Sequence, residues 1–187
     1  MIYQNYIRVL YVDMENETSR IEDRQDLKCY IGGVGTGAKL LEENMRPELH
    51  PLAPEQPIVL ANGALSTIFP VMTKTVAMFI SPLTGELGES HAGARWAMGM
   101  TQAGYDAIVI TGKAKRPTYL TINDKGVIFH DARALWGTGV DTRLAIRKQW
   151  PELAGRSSIL HIGEAGENAW GQGPSDGVRH GIGSLAK

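Results

Sequence analysis

Cysteine is almost absent: Cys29 is the only one in 187 residues. One thiol closes no internal disulfide, and one thiolate holds neither an iron-sulfur cluster nor a structural zinc, so any redox metal must be held in another way. An excess of either charge is also missing. Nineteen Lys+Arg against 20 Asp+Glu leave a formal net charge of -1, and without local clustering of basic residues the chain offers neither a nucleic-acid surface nor a polybasic membrane anchor. No stretch approaches ~18 consecutive apolar residues, and Met1-Ile2-Tyr3-Gln4-Asn5-Tyr6 lacks the basic and apolar regions of a signal peptide, so a cytoplasmic protein is expected. The five histidines show no His-x-x-x-His spacing, so protein-ligated zinc has no sequence support. Cys29 reads as a small core residue.

What the chain does have is a composition suited to one globular domain, 43% hydrophobic and 21% charged, and an excess of glycine. The 22 glycines are ~12% of the residues against an average near 7%. Tyr6 to Asp13 alternates as a strand, a polar turn follows, and Ser19 to Glu22 returns as its hairpin partner. Gly32 to Gly37 leads into a short helix over Ala38 to Glu43 that stops before Pro47, and Ile58 to Gly63 reads as a buried strand. The same order recurs about a hundred residues later: a hairpin over Thr118 to Asn123 and Val127 to His130, a helix over Val140 to Gln149, and a strand over Ser158 to Gly163. Gly35-Thr36-Gly37 and Gly137-Thr138-Gly139 are offset by 102 residues, and Ile58–Gly63 and Ser158–Gly163 by 100. These matches suggest an internal duplication, with repeats at approximately 6–63 and 118–163. The expected fold is α+β: two related β-sheets packed together with a few short helices. Between the repeats, Thr75 to Ile80 and Ala107 to Thr111 read as strands, and His91 to Ala103 as a helix ended by Gly104.

Four glycine-rich stretches are candidate ligand loops: Gly32 to Gly37, Gly85 to Gly93, Gly163 to Gly166 and Gly171 to Gly183. The first is spaced G-G-x-G-x-G, not G-x-G-x-x-G. It follows a poor strand, Lys28-Cys29-Tyr30-Ile31, and no Gly-Lys-Ser/Thr comes after it, so glycines for a tight turn and close helix packing are the better reading than a nucleotide fingerprint. His91 and His180 stand inside glycine-rich loops, His161 reads as a hydrogen-bonded core histidine, and the four tryptophans read as packing residues.

Several stretches together resemble the N-terminal domain of the aldehyde ferredoxin oxidoreductase family, the tungsten- or molybdenum-pterin enzymes. They are Ile31-Gly32-Gly33-Val34-Gly35, Ser81-Pro82-Leu83-Thr84-Gly85, Ala103 to Ala114 with its Ala-Gly-Tyr-Asp start, Leu135-Trp136-Gly137, and Ile162-Gly163-Glu164-Ala165-Gly166-Glu167-Asn168. Their order and spacing cover practically the whole chain, and the resemblance implies that 1–187 is one pterin-cradling domain, with the cluster-binding domains not included. The resemblance implies a tungsten or molybdenum bis-pyranopterin, with magnesium shared between its phosphates, lying on the domain surface. By position, the family's basic pterin contact falls on Lys74, where Arg is usual. The family's Asn contact falls on His91, with Gly93 beside it. The Asp-Gly-x-Arg element matches Asp176-Gly177-Val178-Arg179, and the glycine loop that follows is shortened to His180-Gly181-Ile182-Gly183. Arg179 and Gly181 are therefore cofactor-contact candidates with Lys74, His91 and Gly93, since a pyranopterin needs bare backbone amides and cations for its phosphates. No catalytic residue is implied on this chain.

Three functions compete on this basis. The first is the cofactor-holding domain or subunit of an aldehyde-oxidising enzyme whose iron-sulfur cluster lies elsewhere and which passes electrons to ferredoxin; alone, the chain should not oxidise an aldehyde. The second is a stand-alone pterin carrier or modifying protein, and the third a structural or assembly module whose site has decayed. A cluster-bearing subunit or further domains are the expected partners. An apolar face toward them should make the isolated chain self-associate or seek a partner.

Overall fold

A computed structural model describes residues 4–167 except 94, 154 and 156. A hairpin, β1 (Ile7–Asp13) and β2 (Thr18–Arg24), leads through a 3-10 turn at Asp26–Tyr30 into helix α1 (Gly33–Asn44). Then come β3 (Ile58–Asn62), β4 (Thr75–Ile80), β5 (Leu87–Ala92), helix α2 (Arg95–Gln102) and β6 (Ala107–Thr111). A second hairpin, β7 (Thr118–Asn123) and β8 (Gly126–Asp131), precedes α3 (Thr142–Gln149) and the short α4 (Glu164–Glu167). The first six strands form one mixed sheet in the order β2-β1-β6-β3-β4-β5, and β7 and β8 form a second. The fold is thus α+β with two sheets, as the sequence suggests.

Period-two alternation sends the side chains of the central strands to two separate cores. Val9, Tyr11, Val59, Ala61, Val76, Met78, Ala107 and Val109 face α1, whose Leu40 and Leu41 are fully buried against them; each such leucine contributes about 2 kcal/mol. Leu10, Val12, Leu60, Ala77 and Ile108 face the other way, onto Met100 of α2 and onto Leu120, Ile122, Val127 and Phe129 of the second hairpin. The two sheets therefore pack face to face, with β8 lying beside β2.

Helix α1 begins five residues earlier than its apolar pattern indicates. The glycines that read as a loop form its first turns because space requires them. A Cβ on Gly35 would lie 2.5 Å from the Tyr30 carbonyl oxygen, and one on Gly37 would lie 2.7 Å from Met78 Sδ. The helix ends with Met45 N–H donating to the Leu41 carbonyl and the Asn44 amide to that of Leu40, before Pro47 stops it.

Four other expectations are corrected. Lys28 to Tyr30 belong to the 3-10 turn, and Cys29 is exposed at its end, with Leu27 filling the core position. His91 and Ala92 end a strand, not a helix, and α2 starts at Arg95. The stretch from Leu87 onward is that strand and not a ligand loop, apart from Gly93 after it. Ser158–Gly163 has no strand partner among the described residues.

Candidate functional site

One end of the large sheet gathers the glycine loops. β3 runs toward this end and leaves at Gly63. β4 begins there at Thr75, after Lys74, and β5 finishes there at Ala92, before Gly93. The register pairs Thr75 with Ala92 and Val76 with His91, so Lys74 and Gly93 flank the same edge of the β4–β5 pair. Paired residues share a face of the sheet, which puts His91 on the α1 side with the buried Val76. The start of α1 joins the group through a backbone bridge between Gly32 and Gly63. Gly32 and Gly33 take φ values of 95° and 56°, which favour glycine.

A buried amide fixes this end. Asn62 Nδ2 donates to the Ala97 carbonyl at 2.9 Å and to Thr101 Oγ1 at 3.0 Å, and Asn62 Oδ1 accepts the Thr75 hydroxyl at 2.6 Å. That side chain ties α2, β3 and the start of β4 into one unit next to Lys74. Beside it, Asp106 accepts the Arg8 N–H at 2.9 Å, and burial pushes its carboxyl above the usual carboxylate range. Sequence reading missed Asn62 and Asp106. The signal was a polar residue bordering an apolar run: Asn62 after Ile58 to Ala61 and Asp106 before Ala107 to Ile110.

Lys74 is exposed, and its ammonium has no ion-pair partner among the described residues. His91 is also exposed and lies 3.5 Å from Glu89 through Nε2. Gly93 differs from the helical glycines. Its φ is not left-handed, and the nearest atom to an added Cβ is the Thr73 carbonyl oxygen at 3.9 Å. Gly63 is likewise free of internal crowding, with only Ser66 Oγ at 3.8 Å, and so is Gly163. Folding does not demand glycine at these three places. Buried and without a hydrogen-bond partner among the described residues are Thr36 Oγ1 in the first turn of α1 and Trp96 Nε1 in the first turn of α2.

The second half contributes another contact. Glu167 is buried, and its carboxylate accepts the Gly137 N–H at 2.9 Å, which fastens the Trp136-Gly137 turn to the Gly163–Glu167 stretch. His161 is half-buried and meets the Ile162 carbonyl through Nδ1 at 3.0 Å. Trp150 packs on His130 and donates to the Tyr119 hydroxyl at 3.1 Å. The structure thus brings Lys74, His91 and Gly93 to one sheet end; Arg179 and Gly181 lie outside the described residues. No group of three His, Cys, Asp or Glu that could hold a metal ion occurs among the described residues, and no helix there is long and apolar enough to cross a membrane.

A mixed sheet that gathers bare-backbone loops and an exposed lysine at one end defines an α+β loop-presenting domain. Residues 9–173 match the family model for the N-terminal domain of aldehyde ferredoxin oxidoreductase, and the chain belongs to that family. Over 171 residues it is 34% identical to the tungsten-containing aldehyde ferredoxin oxidoreductase of Pyrococcus furiosus, an alignment that takes in 89% of this chain and 28% of that protein. It is 29% identical to the WOR-like subunit of an aliphatic sulfonate oxidoreductase from the same organism, over 86% of this chain and 28% of that one. Among solved structures, the active site complex BamBC of benzoyl coenzyme A reductase, in complex with 1,5-dienoyl-CoA, superposes with a TM-score of 0.80 at 35% identity, over 86% of this chain and 25% of that one. The chain spans little more than a quarter of the length of these relatives.

Proposed function

We propose that this chain is the pterin-cofactor-binding domain or subunit of an aldehyde ferredoxin oxidoreductase-like enzyme. The observation that carries this reading is Gly93. Its bare backbone has no packing reason, and it stands across the β4–β5 edge from a lysine with no ion-pair partner among the described residues. Phosphate-bearing ligands are recognised by such a combination of accessible amides and a mobile cation. Lys74 would hold phosphate charge, Gly93 and Gly63 would let the ligand approach the backbone, and His91 would offer a ring nitrogen. Arg179 and Gly181 enter by resemblance.

When bound, a tungsten or molybdenum bis-pyranopterin supplies the two-electron centre at which an aldehyde becomes a carboxylic acid. In the complete enzyme, an iron-sulfur cluster borne by other domains or a partner subunit would carry the electrons to ferredoxin. The single exposed cysteine cannot hold such a cluster by itself. On this reading Lys74, His91, Gly63 and Gly93 would bind and orient the cofactor.

The test is metal analysis together with fluorescence of the oxidised pterin after release, on protein purified with its cluster-bearing partner chains present. Tungsten or molybdenum and pterin are expected at stoichiometric levels in the wild type and at reduced levels in Lys74→Ala. Protein that carries neither metal nor pterin overturns the proposal. Glu89 beside His91 favours one alternative, an assembly module that has lost its anion contact, and that reading requires the same negative result. Full cofactor occupancy without aldehyde turnover in the assembled complex marks a carrier protein.

A further inference from the structure

A cavity of about 260 Å³ opens at the other end of the large sheet from Lys74 and Gly93. β6 is antiparallel to β3 and pairs Ile110 with Ile58, so Thr111 lies at the far end from Asn62 and its network. Helix α1 ends there at Asn44, which forms part of the wall, and β2, β1 and β6 supply the floor. Register sets two rows of side chains across that floor. Asp13 pairs with Thr18 on one side and Thr111 on the other, and Tyr11 pairs likewise with Arg20 and Val109. Paired residues share a face, and here it is the α1 face, because Tyr11 and Val109 belong to the core beneath that helix.

The two rows differ in charge. Asp13 accepts the Asn16 side-chain amide and the Asn16 and Glu15 N–H groups, which hold its carboxyl below the usual range and keep it ionised at neutral pH. Those bonds fill three of the roughly four acceptor positions of a carboxylate and leave one. The Thr18 and Thr111 hydroxyls have no hydrogen-bond partner among the described residues. Three acceptors thus stand side by side, and the C-terminal end of α1 adds the negative end of a helix dipole. Such a row suits a primary ammonium group, which carries three N–H donors. In the other row, the Arg20 guanidinium carbon lies 4.0 Å from the centre of the Tyr11 ring. One of its nitrogens pairs with Glu22, and the rest of its five-donor fork can take a carboxylate. The rows are two residues apart along β1, ~6.6 Å, a gap that a zwitterion spans with a hydrogen bond at each end.

We propose that this cavity binds a small α-amino acid, its ammonium held by Thr18, Asp13 and Thr111 and its carboxylate by Arg20. The volume falls below the ~300–1,000 Å³ of ordinary small-molecule pockets, which limits the ligand to a short side chain. The site lies away from the cofactor end of the sheet, and the inference is independent of the cofactor reading.

The test is equilibrium dialysis of radiolabelled glycine, L-alanine and L-serine against the full chain purified with its partner chains. At least one of the three is expected to bind saturably in the millimolar range or tighter. Propionate, which lacks the ammonium, and ethylamine, which lacks the carboxylate, should each compete at least ~10-fold more weakly than the amino acid. Thr111→Val keeps the β-branched shape and removes an acceptor, and Arg20→Gln removes the cation; each should weaken binding by ~10-fold or more. The competition series uses wild-type protein alone, so it decides even if a variant fails to fold. Three results overturn the proposal: no saturable binding of any of the three amino acids, propionate or ethylamine competing as well as the amino acid, or wild-type affinity in both variants.

Discussion

The Thr75 hydroxyl donates to the side-chain oxygen of Asn62 across 2.6 Å, at a point where both residues are almost wholly buried. Asn62 has no unused polar group of consequence, since its amide nitrogen serves Ala97 and Thr101 at the same time. Asn62→Ala strands those partners away from water, and unmet buried hydrogen-bonding groups cost ~1–3 kcal/mol each. Urea unfolding should show a stability loss of about 2–3 kcal/mol, with α2 amides losing protection first. A loss below ~0.5 kcal/mol, typical of surface changes, would show that the network does not fix this end of the sheet.

Glycines at the family's different motifs divide by physical role. Gly35→Ala drives a methyl group to 2.5 Å from the backbone oxygen of Tyr30, and backbone cannot step aside as a side chain can. Even after the gain in helix propensity of about 1 kcal/mol, a net loss of ~1–3 kcal/mol is expected from overpacking. Gly93→Ala meets nothing closer than 3.9 Å, so thermal stability should stay within ~0.5 kcal/mol of the wild type while retained pterin falls. The pair of melting curves and pterin contents separates the two roles. Equal destabilisation by both substitutions removes Gly93 from the cofactor site.

How far these features were legible in the sequence varied with burial. β6 and β7 match their expected bounds residue for residue, because Ala107 to Ile110 is a continuous apolar run followed by β-branched Thr111 and Thr118 to Asn123 leads up to a polar turn. β5 escaped notice because it is an edge strand: Leu87 is exposed, Gly88 sits under the Phe79 ring, and the sequence Leu-Gly-Glu-Ser-His-Ala has no apolar alternation. Cys29 was misplaced because the 3-10 turn buries Leu27 and leaves its neighbours outside, and three-residue periodicity is hard to see in five residues. The family pattern pointed to Lys74, His91 and Gly93, which lie together at one end of the large sheet. It could not reveal that Asn62 locks their strands, since that depends on which helix a distant segment forms.

Glu167 and Gly137 join two motifs that are 30 residues apart in sequence. Gly137 has φ of 80°, so its N–H is aimed by a backbone shape that other residues adopt only with strain. Glu167→Gln keeps an acceptor oxygen and should be close to neutral. Glu167→Ala leaves the N–H without its partner and should lower stability by about 1–2 kcal/mol. Thermal unfolding of the two variants side by side is the measurement, and equal effects of Gln and Ala would reassign Glu167 to packing alone.

Asp13 gives the pH dependence a definite sign. Its carboxylate accepts the Asn16 side-chain amide at 2.7 Å, the Asn16 N–H at 3.1 Å and the Glu15 N–H at 2.9 Å, closing the β1–β2 turn. These bonds, led by the Asn16 side chain, hold its carboxyl below the usual range. The folded state therefore binds this proton less readily than the unfolded chain, so the stabilisation is complete above pH ~4, where a free carboxylate is ionised. It fades as pH falls through the lowered value. Asp13→Ala should cost about 1 kcal/mol at pH 7 for this half-exposed turn, and the gap between wild type and variant should close progressively on acidification from pH 5 to pH 2. Denaturant unfolding across that range checks it. A gap that stays constant means that Asp13 acts through backbone shape, while one that widens in acid contradicts the charge-assisted turn.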